Sequence, residues 1–182
     1  MSRPLRADAR RNRAKVLEVA AEVFATEGLG VPVHEIARRA GVGTGTVSRH
    51  FPTKEDLFAA ILLRRMAELT DRADALVASK EPGDAFFTYF AEVVRAGGDH
   101  KGLADALAGA GYDLDRAGAE AGVDVSARLR DLLLEAQRAG AVRSDVTYAD
   151  VKALMTGCMV REGTALDPLI AVVCQGLATP PP

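Results

Sequence analysis

A chain of 182 residues that is 48% hydrophobic and 26% charged has the apolar content to build a globular core, which excludes a disordered protein. No run reaches the ~18 uncharged apolar residues of a membrane-spanning helix and no secretory leader pattern opens the chain, so a soluble, cytoplasmic protein is expected. The net charge of −2 hides an asymmetry, for residues 1–65 hold 12 Lys and Arg against 7 Asp and Glu, whereas residues 66–182 hold 11 against 18. Anion-binding potential therefore sits at the amino-terminal end.

Residues 1–7 lack periodicity, and Arg3, Arg6, Arg10, Arg11, Arg13 and Lys15 concentrate positive charge around the start of the first helix. Val16, Leu17, Ala20, Ala21, Val23 and Phe24 recur at helical spacing before Gly28, which predicts a helix over about 8–27. Pro32 suits a first helical position, and Val33, Ile36, Ala37 and Ala40 form the apolar face of a second helix. Gly41-Val42-Gly43 supplies a tight turn, and Thr44 opens a short third helix whose apolar residues Val47 and Phe51 stand four apart. Pro52 ends it, and Thr53 with Asp56 has the form of a capping box for a long fourth helix, about 54–79.

Along that helix Leu62, Met66, Leu69, Ala73 and Leu76 make a seam spaced for lengthwise packing. Glu81-Pro82-Gly83 interrupts it, and a helix over about 84–96 carries Phe86, Phe87, Tyr89 and Phe90. A short helix over 102–109 and an irregular, Gly-rich stretch through Gly111, Asp113, Asp115, Gly118 and Gly122 follow. Val125, Leu129, Leu132, Leu133 and Ala136 mark the next helix, which stops at Gly140. Thr147 and Asp150 form a second capping-box pattern before the stripe Tyr148, Val151, Met155 and Cys158, flanked by Leu154 and Met159. A last helix begins at Asp167-Pro168 and carries Leu169, Ile170, Val173, Cys174 and Leu177, leaving Pro180-Pro181-Pro182 as a tail. No alternating strand pattern and no internal repeat stands out, so the fold class is all-α, with about nine helices.

Helix, glycine turn and short helix over Val33–Phe51 make a helix-turn-helix pattern, with Val47 and Phe51 as anchors and the remaining face free for a duplex. The stretch Ile36–Phe58, IARRAGVGTGTVSRHFPTKEDLF, resembles the DNA-binding signature of TetR-family regulators over its whole length. On side-chain chemistry Thr44, Thr46 and Arg49 are the base-contact candidates, Arg for guanine and Thr for several bases. Gly45 lets backbone approach the duplex, while Ser48, His50 and Lys54 are candidates for phosphate. Two positions depart from the family pattern: Ser48 stands where a phosphate-contacting tyrosine is usual, and Val31-Pro32 where Ser or Thr often caps the second helix. Arg38 and Arg39 stand open between a solvated face and phosphate contact, as the basic arm does between a solubilising tail and a groove contact. His34 reads as surface.

The resemblance implies a DNA-binding domain over 1–53 with its basic arm, and a helical effector-binding and dimerisation domain over 54–182. It also implies a twofold homodimer through the last two helices, with Val151, Met155, Cys158 and Met159 of one and Leu169, Ile170, Val173 and Cys174 of the other as interface candidates. Such a dimer would take a palindromic operator on double-stranded DNA and be nucleoid-associated through it. Phe86, Phe87, Tyr89, Phe90 and Tyr112 are candidates for an apolar effector pocket, with ordinary core as the competing reading. Asp113, Asp115 and His100 lack ligand spacing, and Cys158 and Cys174 lie outside any CxxC pattern, so no metal, cofactor or catalytic set is expected. The leading expectation is a repressor released from its operator by a small molecule; the alternative is a helical small-molecule-binding protein that has lost DNA binding.

Overall fold

A computed structural model describes residues 3–160 and 165–180, the first five by backbone alone. Ten helices run α1 (Arg3–Glu27), α2 (Val33–Ala40), α3 (Thr44–His50), α4 (Lys54–Ser79), α5 (Pro82–Asp99), α6 (Lys101–Gly109), α7 (Leu114–Glu120), α8 (Val125–Arg138), α9 (Tyr148–Met159) and α10 (Leu166–Leu177). Among the described residues the one extended pairing is an isolated bridge between Val142 and Ala178. The fold is therefore all-α, and it separates into two compact units: Met1–Arg64 with Gly102–Ala117, and Arg65–Lys101 with Gly118–Pro182.

The first unit is built on the periodic apolar face of α1, where Val16, Leu17, Ala20, Val23 and Phe24 are all buried. Against it pack Ile36, Ala37 and Ala40 of α2, Val47 of α3, Phe51, and Leu57, Phe58, Ile61 and Leu62 of α4. Phe24 and Phe58 meet edge to face at 5.0 Å, a geometry that adds about 0.5–1.5 kcal/mol beyond the area they bury. Leu103 and Leu107 of α6 join this core, so the compact unit takes in more chain than the 1–53 module expected from sequence. The cause is the apolar start of α4, whose first two turns have buried partners here.

In the second unit α5 is central. Phe86, Tyr89, Phe90, Val93 and Val94 are buried among Leu69, Ala73 and Leu76 of α4, Leu129, Leu132 and Leu133 of α8, Val151 and Cys158 of α9, and Ile170 and Leu177 of α10. Small residues set the approach of α9 and α10 to α5. A Cβ at Gly97 would fall 2.4 Å from Met159 Cε and one at Gly98 would fall 2.8 Å from Leu166 Cδ1, so side chains there would require Met159 and Leu166 to repack. Both capping boxes form: Thr53 N–H donates to Asp56 at 2.9 Å and Asp56 N–H to Thr53 Oγ1 at 3.0 Å, with Thr147 and Asp150 repeating the pattern at 2.9 and 3.2 Å.

Three elements differ from expectation. α1 begins at Arg3 rather than near residue 8, because Pro4 falls in the first turn, where its missing N–H costs nothing. The side chains of Arg3 and Arg6 in the expected basic arm lie outside the described residues, as do Pro181 and Pro182 of the tail. The stretch read as irregular contains α7, started by Asp113, whose carboxylate accepts from Arg116 N–H at 2.9 Å. Gly111 and Gly122, both at φ +74°, follow the ends of α6 and α7, so these two glycines are helix stops.

Candidate nucleic-acid interface

The turn between α2 and α3 is fixed by Gly41, which ends α2 at φ 67°, ψ 32°. Val42 N–H then reaches back to Ala37 O at 3.0 Å and Gly41 N–H to Arg38 O at 3.1 Å, which satisfies carbonyls at the helix end. Val42 packs half-buried on the core, and Gly43 starts α3 in extended conformation. Pro32 is the N-cap of α2, one position before the place expected for it, and offers no side-chain hydrogen bond, so replacement of Ser or Thr there does remove a cap. Glu35 in the first turn offsets part of that loss through the helix dipole.

On α3, Val47 is fully buried and Phe51 nearly so. That anchoring turns Thr44, Gly45, Ser48, Arg49 and His50 outward, where they are exposed, while Thr46 is half-buried. The side chains of Thr44, Ser48 and Arg49 make no hydrogen bond or ion pair within the described residues, so this row of hydroxyls and a guanidinium is uncommitted. Arg13 of α1 lies 5.3 Å over the Phe51 ring, which sets a cation beside the end of α3. It did not stand out from the other basic residues of α1 in the sequence, because its partner is thirty-eight positions away.

Lys54 has contacts of its own within the first unit. Its ammonium donates to Leu29 O and lies 5.7 and 5.9 Å from the Phe24 and Phe58 rings, so it ties the α1–α2 connection to the start of α4. The bond to Leu29 O uses one of the three N–H donors of that ammonium.

Arg38 and Arg39 are braced by an acid that sequence reasoning passed over. Glu35 accepts from Arg38 at 2.8 and 2.7 Å and from Arg39 Nε at 2.8 Å, and Arg39 also pairs with Glu27 of α1. The two guanidinium groups, Arg38 first, hold the Glu35 carboxyl down to about 2. The i,i+3 and i,i+4 spacing of Glu35 to both arginines was the available signal. Any phosphate contact by Arg38, whose side chain is 72% exposed, competes with Glu35.

The other candidates separate. Phe86, Tyr89 and Phe90 belong to the core of the second unit and Phe87 packs half-buried on it, whereas Tyr112 packs on the core of the first. The density of aromatics on α5 goes with its central position in the core of the second unit. Val151, Cys158 and Ile170 are likewise buried in their own protomer, with Met155, Met159, Leu169, Val173 and Cys174 packed half-buried beside them. Three of the eight candidates are thus committed to the core of their own protomer, and five keep part of their surface. Leu154, Val160 and Val172, 40%, 60% and 65% exposed, are the large apolar residues that α9, its C-cap and α10 present to solvent. His100 bonds Ala96 O at 3.0 Å.

A buried two-point anchor, a glycine turn and an uncommitted polar face define a helix-turn-helix DNA-binding protein. Residues 16–61 match the model of bacterial regulatory proteins of the tetR family, and residues 81–179 match that of the SbtR-like transcriptional regulator C-terminal domain. The chain belongs to the TetR family of transcriptional regulators. A TetR transcription regulatory protein from Mycobacterium vanbaalenii is 48% identical, with 96% of this chain and 99% of that one covered at a TM-score of 0.77. For a TetR transcriptional regulator from Streptomyces coelicolor the values are 30%, 92%, 98% and 0.74. An HTH-type transcriptional regulator from Staphylococcus aureus is 38% identical over 61 residues, 33% of each chain. Regulators of this family bind DNA and small-molecule ligands and form dimers; among the described residues no helix is long and apolar enough to cross a membrane.

Proposed function

We propose that this chain is a homodimeric repressor that holds a palindromic operator through two copies of α3 and leaves it when a small molecule binds the second unit. The observation that carries the reading is the face of α3, with Val47 and Phe51 sunk in the core and Thr44, Gly45, Ser48, Arg49 and His50 outside. Thr44 and Arg49 are assigned to base edges, with Thr46 beside them; Ser48 and His50 are assigned to phosphate. Leu154, Val160 and Val172 support a twofold contact through α9 and α10, since burying them needs a second apolar surface. Two recognition helices in such a dimer would sit one helical turn, ~34–36 Å, or a multiple apart. Release follows if the ligand prefers a conformation in which that spacing is wrong.

A gel-shift titration with the DNA flanking its own gene tests the reading. Salt-sensitive binding to a palindrome there is expected. Arg49→Gln should weaken binding by about 1–3 kcal/mol at one base position while sparing sequences that lack that base. Failure to retain any palindrome at low salt favours instead a ligand-binding protein that has lost DNA recognition, the outcome for which Ser48 in place of tyrosine is the motivation.

A further inference from the structure

The second unit holds an open groove of about 350 Å³ between α4 and α8. Ala73 and Leu132 form its apolar floor, and Val77, 62% exposed, extends that surface to the wall. Its rim carries three carboxylates, Asp74, Asp131 and Glu135, against one guanidinium, Arg128. Arg128 is bound to Asp74 at 3.1 Å and Glu135 to Arg138 at 2.5 Å, but Asp131 is exposed and has no ion-pair partner among the described residues. Apolar walls under a net negative rim complement a cation with a hydrophobic body.

A second, independent feature points to the same place. Tyr89 of α5 is completely buried, and its hydroxyl has no hydrogen-bond partner among the described residues. It shares its buried core with Ala73 and Leu132, the residues of the groove floor, and burial first, then the charges of Arg128, Glu92, Asp124 and Asp74, act on it. Buried polar groups are almost always paired, so an unpaired hydroxyl in the core below the groove floor is available to a new polar neighbour.

We propose that this groove is the effector site and that it takes an amphipathic organic cation of the quaternary-ammonium type. The apolar body lies on Ala73, Val77 and Leu132, and the charge faces Asp131 and Asp74. As Asp74 turns to the ligand, Arg128 is released and the Tyr89 hydroxyl gains a polar neighbour. The word effector, though not the binding itself, rests on the regulator reading given above.

An NMR titration of the full chain with phenyltrimethylammonium tests the site, with the isosteric neutral tert-butylbenzene and the anion benzenesulfonate as comparisons. Shifts should centre on residues 73–77 and 128–135, and the cation should bind about five to ten times more tightly than its neutral isostere. Asp131→Asn should weaken the cation about twofold to fivefold and Asp71→Asn, outside the groove, should not. Tyr89→Phe, which removes only an unpaired hydroxyl, should keep the fold and weaken the cation. Equal binding of the neutral isostere, an unchanged Asp131→Asn, or shifts centred elsewhere would overturn the proposal; an unchanged Tyr89→Phe would overturn the part given to the hydroxyl. DNA release is measured separately. Cation binding in the groove without release contradicts the effector reading and leaves the site standing, whereas release with no binding in the groove does the reverse.

Discussion

Replacing Gly45 by alanine should move stability and DNA binding in opposite directions. Gly45 is the second residue of α3, its φ is not positive, and a Cβ built on it meets nothing within 4 Å. Glycine inside a helix is less favourable than alanine by roughly 0.5–1 kcal/mol, so the free protein should gain up to that amount. For a chain of this size the gain lifts Tm by about 1–4 °C. Open space on the exposed side of α3 is also where a duplex would approach. If the glycine is there to let it come close, the added methyl should cost about a factor of ten in affinity, ~1.4 kcal/mol. Calorimetric melting and fluorescence anisotropy on one labelled operator read the two effects on the same preparation. Gly41 is the contrast: at φ 67° a side chain is strained whatever the space, and Gly41→Ala should destabilise by about 1–2 kcal/mol. A fall in Tm for Gly45→Ala, or a rise with unchanged DNA affinity, would refute the reasoning.

Three further outcomes follow from the same geometry. Thr53→Ala removes one side of the capping box at α4 and should lower stability by about 0.5–2 kcal/mol in denaturant titration, with Asp56→Asn acting less than additively because the two share their bonds. Lys54→Met keeps the aliphatic stem and loses the bond to Leu29 O and the two ring contacts, so it should destabilise by about 1–2 kcal/mol and leave the salt dependence of DNA binding unchanged; a slope reduced by about one unit would make Lys54 a phosphate ligand after all. Glu35 has its carboxyl lowered from 4.5 to about 2, so its contribution is present above pH 4.5 and is lost as pH falls toward 2; carboxyl NMR should show that midpoint, and Arg38→Gln should raise it.

The amino-terminal half was legible because its signals are local and redundant. The apolar face of α1, the Gly41 turn, the Val47 and Phe51 pair and the Thr53–Asp56 box each specify one element, and they agree in register. α7 was missed because its apolar residues are mostly small alanines interspersed with glycine, and Asp113 reads as a loop acid unless it is recognised as an N-cap. The candidate pocket and dimer residues were less legible for another reason. Periodicity shows that a helix has an apolar face but not which neighbour covers it, so it did not separate the core residues Val151, Cys158 and Ile170 from the exposed Leu154, and Val160 and Val172 drew no notice. Lys54 illustrates the same gap at the site: its position in the motif is local, but the direction of its ammonium depends on Leu29, Phe24 and Phe58.

Selection of bound sequences from a library of random duplexes by the purified full chain tests the central claim most directly. If α3 reads the major groove in a twofold dimer, the enriched sites will be inverted repeats whose half-site centres lie ~10–10.5 base pairs, or a multiple of that, apart. Arg49→Gln will then relax one symmetric pair of positions in those sites. Enrichment of unrelated, asymmetric sites, or of none at low salt, would contradict it.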